Sequence, residues 1–403
     1  MSELASKPQG VSQGVSRDVP RTDVSRFAFS GKGAGIADIR SLSPEDKERL
    51  IMSGVDLDQA GRGGTYLQVD DKSVHCDTCD PNVEILDITE ALRKYDGLSE
   101  YFWNAVKPDQ DDFTRMAAHE TLQGGYFMRA KAGMKITEPV QSCLFIKGEA
   151  VAQNVHNIIV VEEGAELHVI TGCATAHDRQ SALHLGISEF YVKKGGKLTF
   201  TMIHNWGEKV MVRPRTVGIV EEDGEFQSNY ILLKPVESVQ SYPSIYLNGP
   251  RAVARFNSVI VAPTGSLVDT GNRIYLNAPD TRGEIISRTI TTGGKIIARG
   301  HIIGSHVPAK GHLECKGLIL GNGIIHAIPE LEGTVSGVEL SHEAAVGKIA
   351  QEEIEYLMAR GLDEDEATST IVRGFLNVEI MGLPEKLRRT IDKTIQESEK
   401  DMF

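Results

Sequence analysis

The feature of this sequence that most limits its fold is a glycine-containing turn that recurs between short runs of aliphatic and β-branched residues. Aligned on the turn, the recurrences fall at positions 164, 195, 223, 264, 293 and 323, with gaps of 31, 28, 41, 29 and 30 residues. Strands of a hairpin meander return about every 8–12 residues, whereas a period of roughly 30 is typical of stacked solenoid coils. We therefore predict a mainly β solenoid over residues 121–338, with the 41-residue gap as its irregular interval. A large β-sandwich with coincidental glycine spacing is the alternative.

The sequence on either side of this region differs in texture. Residues 1–38 are rich in Ser, Gly, Arg and Val without a period, which predicts a flexible leader. Residues 39–120 are predicted to form a small α+β domain, in which Ser43 caps a helix that starts at Pro44. The other elements predicted there are the end of that helix near 53–54, strands around 65–69 and 83–88, and a helix over 89–106.

The C-terminal part, residues 339–403, is predicted to be a domain of three amphipathic helices. Ser341 can cap the first, which runs to Gly361 with an apolar stripe at helical spacing. A cap and capping-box acids predict a second helix to about Met381, and Pro384 starts the third. The apolar stripes must be covered, so these helices are expected to pack on the solenoid end, on a partner, or on both.

Charge and composition exclude several classes of function. A formal net charge of −13 argues against a nucleic-acid-binding protein, which would present a basic face. The longest apolar runs are about five residues, against the roughly 20 that a spanning helix needs, so no membrane segment is predicted. Five scattered cysteines indicate reduced thiols and a cytoplasmic protein. The sequence has no Gly-x-x-x-x-Gly-Lys-Ser/Thr loop, so the chain is predicted to bind no nucleotide, and any ATP-driven role needs a second subunit.

Cys315 is the strongest candidate for chemistry because of the residues near it. Glu314 precedes it, His312 lies close by, and the dyad His342-Glu343 opens the predicted C-terminal helices. Thiolate, imidazole and carboxylate groups can all bind iron, and one thiolate helped by His and Glu binds less firmly than four thiolates. The alternative for the dyad is structural, because a Glu in a first helical turn gains from the dipole and the His is then a surface residue.

The other cysteines carry weaker signals. Cys143, in an apolar run, is predicted to be a buried small hydrophobe, and Cys173, at a small-residue kink after a strand, is predicted to be accessible. Cys76 and Cys79 have the Cys-x-x-Cys spacing of a zinc or redox pair, to which His75 could add a third ligand. No second pair of ligands follows at the expected distance, so this metal site is the weaker hypothesis.

A different class of function also fits a β-helix, namely a carbohydrate-active lyase or hydrolase. Such an enzyme needs acids clustered on one coil face with Lys or Arg beside them. Arg282, Glu284, Arg288 and Arg299 are the candidates for that role. This reading leaves Cys315 and the helical tail without a function.

Several motifs make the chain, over about residues 120–398, similar to the SufB/SufD family of SUF iron–sulfur cluster assembly scaffolds. They are His204-Asn205-Trp206, Ala254-Arg255-Phe256-Asn257-Ser258, Thr281-Arg282-Gly283, Cys315, Ile328-Pro329-Glu330-Leu331 and Ser341-His342-Glu343-Ala344-Ala345-Val346-Gly347-Lys348-Ile349. The resemblance implies a right-handed parallel β-helix followed by a helical domain. It also implies a non-enzymatic scaffold that pairs through its β-helix, builds a nascent [2Fe–2S] or [4Fe–4S] cluster at the interface, and docks a SufC-like ABC-type ATPase on its helices.

The resemblance also implies roles for individual residues. Cys315 matches the interface cysteine, and His342 and Glu343 match the histidine and carboxylate beside it. Cys173 matches the cysteine that accepts sulfur from a donor and passes it along the inside of the β-helix. The long SufB-type insertions are missing and features of both paralogues are present, which favours a homodimer over pairing with a SufD-like chain. The resemblance implies no role for the Cys-x-x-Cys pair.

Overall fold

The computed structural model describes residues 22–29, 41–59, 61–178 and 181–376. In this part the protein is mainly β, with a β-solenoid of about eight turns and a few helices towards the termini, so the predicted fold class is confirmed. The third predicted C-terminal helix, from Pro384, and most of the predicted leader lie outside the described residues.

Two sheets, with strands numbered along the chain, form the walls of the solenoid. Sheet 1 contains, in spatial order, β2 (Lys72–Thr78), β1 (Gly64–Val69), β5 (Val140–Ile146), β7 (Glu166–Thr175), β9 (Lys197–Asn205), β12 (Glu225–Leu232), β15 (Val253–Ala262), β17 (Thr281–Thr291), β19 (Ala309–Ile319) and β21 (Glu339–Gly347). Sheet 2 contains β3 (Val83–Asp87), β4 (Tyr126–Ala130), β6 (Val151–Val161), β8 (Ser181–Val192), β10 (Lys209–Val212), β11 (Arg215–Val220), β13 (Ser238–Ser241), β14 (Ser244–Leu247), β16 (Leu267–Leu276), β18 (Lys295–Gly304) and β20 (Ile324–Gly333). The described strand pairs are parallel except β1–β2 and β3–β4.

The turn spacing has a structural explanation. The turns near 164, 195 and 223 lead from sheet 2 into sheet 1, whereas those near 264, 293 and 323 lead from sheet 1 into sheet 2. The 41-residue gap is therefore a change from one corner of the coil to the opposite corner. The first corner continues without interruption as a ladder of positive-φ residues at 133, 164, 195, 223, 251 and 280. Along it each amide donates to a carbonyl of the next coil, as from Gly195 to Glu222 at 2.8 Å.

Strand alternation separates an inner and an outer face in each sheet. Inward side chains from both sheets form one continuous apolar core that runs from Tyr66 to Cys315. Outward apolar residues of sheet 1, among them Ile231, Val259 and Ile290, are covered by a C-terminal helix instead. Because neighbouring strands are in register, inward side chains one coil apart stack in columns.

The N-terminal region agrees with the prediction in part. The helix α1 spans Pro44–Met52, capped by Ser43 as predicted. The helix predicted over 89–106 is wrong in length, because α2 covers Ile88–Lys94 and is followed by a 3₁₀ turn at Asp96–Glu100; α3 covers Asp112–His119.

Two regions that were predicted to lie outside the solenoid contribute to it. Strand β1 pairs in parallel with β5, so a strand from the predicted α+β domain belongs to sheet 1. Residues 22–29, within the predicted flexible leader, pack on the solenoid: Phe27 is buried and Ala28 bridges to Val151.

The C-terminal prediction is wrong at its start. The segment from Ser341 is not a helix but strand β21, which pairs with β19 and extends sheet 1 to Gly347. Helix α4 (Gln351–Met358) begins only after it, and α5 (Glu364–Leu376) packs on the outer face of sheet 1. Only one residue of β21 after His342, Val346, is β-branched, so in-register pairing with β19 rather than local propensity makes this segment a strand.

Candidate functional site

Cys315 lies in β19 and points into the solenoid core. Its residue is 2% exposed, and its register neighbours are Ser287 on β17 and Ala344 on β21. Burial raises the pKa of the Cys315 thiol to about 11; Glu314 raises it further and Arg288 opposes the shift. The sulfur is therefore a protonated thiol at neutral pH, and iron would bind it only with loss of that proton.

His342 and Glu343 lie on opposite faces of β21, directly after Ser341, the residue predicted to cap a helix. His342 is opposite Leu313, so it shares the inward face with Cys315, whereas Glu343 is opposite Glu314 on the outward face. The predicted ligands therefore do not converge within one chain. Across the described ranges no group of three or more His, Cys, Asp or Glu side chains is placed to hold a metal ion.

A chain of ion pairs occupies the outer face behind Cys315. Glu314 contacts Arg288 and lies 3.3 Å from the Lys316 ammonium, which also lies 3.2 Å from Glu343. Burial opposes ionisation of Glu314, but Arg288 and then Lys316 lower its pKa. The two positive and two negative side chains on the outer face behind Cys315 therefore balance each other, while the carboxylate of Glu343 is largely exposed.

Within the described residues, the solenoid ends in a coil formed by β20 and β21 that no further coil covers. Each of these strands has a partner on one side only among the described strands, β18 and β19 respectively. Large apolar side chains are exposed there: Ile324 is 58% and Val346 42% exposed. An open sheet edge with exposed apolar residues is a template for association.

Cys173 is buried, and the prediction that it is accessible is wrong. It lies inside β7, which continues to Thr175, and it is 1% exposed. Burial raises its pKa well above the ordinary value. His204, its neighbour on β9, bonds through Nδ1 to the Tyr230 hydroxyl at 3.0 Å, and burial lowers the pKa of His204, so the ring is neutral.

A column of inward side chains that carry oxygen or sulfur leads to Cys315. One register position on successive strands of sheet 1 is occupied by Ser142, Thr171, Met202, Tyr230, Ser258, Ser287 and Cys315. A cavity of about 40 Å³ borders Met202 and Tyr230 midway along the column. Cys173 lies two residues from Thr171 on the same face, so the column connects the neighbourhoods of both cysteines.

The Cys-x-x-Cys pair lies on an edge of sheet 1. Cys76 is in β2 and Cys79 just beyond its end, and both residues are exposed. Three residues of extended chain separate their Cα atoms by about 10 Å, whereas a disulfide needs less than about 7 Å. The sulfur of Cys76 donates to the Ile85 carbonyl at 3.4 Å. Although the residue as a whole is exposed, partial desolvation of this sulfur raises the pKa of the thiol to about 11. This backbone does not bring the two thiols onto one metal.

The residues proposed for a carbohydrate-active site are not brought together. Arg282, Glu284 and Arg288 are on the outer face of sheet 1, whereas Arg299 is in β18 of sheet 2, paired with Asp269 at 2.6 Å. Two catalytic acids at one place are absent from this set. The geometry gives that alternative no support.

Sequence reasoning missed the column and a buried anchor at Glu189. The Glu189 carboxylate accepts the backbone amides of residues 103–106, the Tyr191 hydroxyl and the His156 ring. Aligning the chain at offsets of 28–31 residues would have shown the column of polar positions. No local pattern marks Glu189, because the four backbone amides that donate to it are about 85 residues away.

The fold and the open-ended site define a class: β-solenoid proteins with a terminal thiol and helices on one face. Residues 144–375 match the family model described as SUF system FeS cluster assembly, SufBD core domain. The chain therefore belongs to the SufBD family, whose members are named for iron–sulfur cluster assembly.

Relatives from archaea and bacteria support this. A protein of Archaeoglobus fulgidus named iron-sulfur cluster assembly SufBD family protein is 54% identical over 359 residues, 89% of this chain and 96% of that one. One of the same name from Methanothermobacter thermautotrophicus is 45% identical over 379 residues, 93% and 92% of the two chains. The iron-sulfur cluster assembly protein SufB of Bacillus subtilis is 31% identical over 316 residues, 77% and 67%. In the described part of this chain, no helix has the length and apolar character needed to cross a membrane.

Proposed function

We propose that this chain is a scaffold subunit on which a nascent iron–sulfur cluster, [2Fe–2S] or [4Fe–4S], is built and then released. The observation that carries the proposal is the open coil. There the strand of Cys315 pairs with β21, which has His342 on its inward face and no strand on its other side among the described residues. The cluster is the cargo of the protein, and the chain supplies ligands rather than catalysis. The five free cysteines suit work in a reducing cytoplasm.

The site is completed by a second copy of the chain. One chain offers a single thiol and one imidazole on the inward face, which is too few soft ligands for a cluster. A two-fold pairing doubles every ligand. Strands β17 and β19 already have partners on both sides, so the pairing edge is β21 rather than the coils between Arg282 and Cys315. A SufD-like paralogue on the same edge is the other possible partner, and the missing insertions favour the homodimer.

Glu343 fits this arrangement although it points away from Cys315. At a paired edge, the outward face of one β21 comes close to the partner strand. The carboxylate is 59% exposed, and among the described residues its ion-pair partner is Lys316, so it can be released towards iron at small electrostatic cost. Glu343 would then be a ligand during loading, and Lys316 its counter-ion once the site is empty.

Sulfur reaches Cys315 from Cys173 along the inside of the solenoid. When the coil opens locally, the Cys173 thiol attacks the outer sulfur of a donor persulfide and becomes a persulfide itself, and the donor leaves as a thiol. A dithiol reductant then frees that sulfur as hydrosulfide, restores the Cys173 thiol and is oxidised to its disulfide. The column from Thr171 to Ser287 provides hydroxyl and thioether groups along the route. The hydroxyl groups can donate hydrogen bonds to a small sulfur species, which aliphatic side chains and the Met202 thioether cannot do. The cavity beside Tyr230 and Met202 offers room midway.

The C-terminal helices bind an ABC-type ATPase of the SufC kind. Helix α5 has its apolar face on sheet 1, but α4 has one buried residue, Ile354, and presents Tyr356 (56% exposed) and Met358 (40% exposed) outward. Exposed aromatic and Met side chains are typical of docking anchors. We expect Tyr356→Asp to prevent co-purification with the ATPase. Ile51→Asp, at a residue on α1 that is 48% exposed, should leave co-purification unchanged.

The decisive experiment is anaerobic reconstitution of Cys315→Ser with iron and sulfide. This change keeps the size and polarity of the side chain but removes the soft ligand, so the fold should persist while bound iron and acid-labile sulfide are lost. Cys143→Ser is the matched control, because Cys143 is as buried but points to the outer face of sheet 1. Equal iron and sulfide in Cys315→Ser and wild type would refute the scaffold proposal.

A further inference from the structure

A charged groove of about 690 Å³ crosses the outer face of sheet 1 at the last coils of the solenoid. It runs over the starts of β15, β17, β19 and β21 and ends at the open coil. Its ionisable lining residues are Arg255, Arg282, Glu284, Lys310, His312 and Glu339. Three cations and a histidine face two acids here, in a chain whose formal net charge is −13.

The cations of the groove are incompletely compensated. Arg255 lies 3.5 Å from Glu284 and Lys310 lies 2.8 Å from Glu339, which uses both acids. Arg282 stands directly opposite Lys310 on the neighbouring strand and forms no ion pair within the ranges that the structure describes. Like charges opposite each other in a sheet are destabilising, so this arrangement favours a negative group bound above Arg282.

A second like-charge pair on the same two strands provides the comparison. Arg288 is opposite Lys316, but there Glu314 lies between them and Glu343 adds a further carboxylate. The fold therefore neutralises both cations of one pair with its own acids. In the other pair Lys310 is neutralised by Glu339, and Arg282 has no ion-pair partner among the described residues. This second pair is the one that lines the groove.

We propose that the groove docks the acidic surface of an acceptor protein that takes the finished cluster; this rests on the scaffold function proposed above. On the outer face, two rows of cross-strand neighbours lie side by side. One row contains Glu284, His312 and Ser341, and the other contains Glu314 and Glu343. A partner docked in the groove therefore touches the strand that carries the cluster thiol. Acids interspersed with the cations disfavour a nucleic acid, whose phosphates would meet them at every step. They suit a protein surface on which carboxylates alternate with other groups.

The test is cluster transfer from the loaded protein to the apo form of an acidic [2Fe–2S] ferredoxin. Arg282→Glu should reduce the second-order transfer rate about five- to tenfold at low salt, because reversing an exposed charge acts on docking and on electrostatic steering. The difference from wild type should shrink near 1 M salt, where the screening length is about 3 Å. Lys209→Glu, an exposed lysine on sheet 2 with the same change in charge, should transfer at the wild-type rate.

The outcomes separate this inference from the scaffold function. Equal cluster-transfer rates at low salt for Arg282→Glu and Lys209→Glu would overturn the docking site. An Arg282→Glu variant that loads less iron but transfers its cluster at the normal rate would also overturn it, because the groove would then bind a donor. If the wild type holds no cluster, the scaffold function fails instead. The groove is then tested by equilibrium binding of the same apo-ferredoxin to the unloaded chain, where equal affinity of the two variants would refute it.

Discussion

Val346 at the open coil offers a quantitative test of the proposed homodimer. The residue lies in β21, on the inward face that a second copy would cover, and it is 42% exposed in the single chain. Complete burial of a Val side chain stabilises by about 1.5–3 kcal/mol. Covering the part still exposed is then worth about 0.6–1.3 kcal/mol in each protomer.

Two-fold symmetry doubles this contribution to about 1.2–2.5 kcal/mol. Val346→Asp removes it and places two like charges near each other at the interface. At 1.4 kcal/mol per factor of ten, the apolar loss alone raises the dimer Kd by about 7- to 60-fold, and the carboxylates should bring the increase to about 100-fold or more. The part of the side chain that is already covered in the single chain is also lost, so the free energy of unfolding of the monomer should fall by about 0.9–1.7 kcal/mol.

Sedimentation velocity over a dilution series measures this change directly. Ile51→Asp is the matched control, since Ile51 is 48% exposed but lies on α1, away from the open coil, and its Kd should equal that of wild type. A Val346→Asp protein with an unchanged Kd would show that β21 is not the pairing edge. A wild type that is monomeric at every concentration, yet assembles clusters, would exclude the homodimer itself.

Three further outcomes are expected. Glu189→Gln should lower the free energy of unfolding by about 2–4 kcal/mol, because the buried carboxylate that accepts hydrogen bonds from four backbone amides loses its charge. Faster hydrogen exchange of the amides at 103–106 would localise the effect, and unchanged exchange would contradict it. Burial lowers the pKa of His168 and of His184 to about 4. Since the unfolded chain takes up these protons near pH 6.5, stability is present above that pH and should fall between about 6.5 and 4, by up to about 1.4 kcal/mol per pH unit for each histidine; a constant urea midpoint over this window would refute this. Ser287→Val should slow cluster assembly from a protein-bound persulfide but not from free sulfide, and equal slowing in both assays would point to misfolding.

The sequence predicted the solenoid because coil stacking imposes a period that survives in the linear chain. Glycine recurs at several corner positions that have a positive φ, such as Gly133, Gly164 and Gly195, and the wall between two corners needs only alternating aliphatic residues. The corner itself was ambiguous, since Asp223 and Arg251 adopt the same backbone without glycine. An alignment based on glycine therefore follows the first corner as far as 223 and the opposite corner from 264 onwards, which produces the 41-residue interval.

The candidate site was only partly predictable, for a related reason. The residues of the site were chosen by chemistry, and Cys315 does lie at the open end. Their directions depend on strand parity, and a Ser-His-Glu sequence fits a helix cap as well as it fits an alternating strand. Only the register of β21 against β19 places His342 inward and Glu343 outward. The accessibility of Cys173 was likewise undetermined until its strand was seen to continue past it.

The uncovered last coil also has a consequence for when the site exists. In a stack of coils each unit is stabilised by its two neighbours, and the terminal unit has one. The coil of β20 and β21 should therefore be the least protected part of the solenoid and open locally more often than the interior coils. Association would supply the missing neighbour, so ordering of His342 and Glu343 would accompany pairing. Iron would then meet a formed set of ligands only where two chains have met, and a lone chain would have little affinity for it.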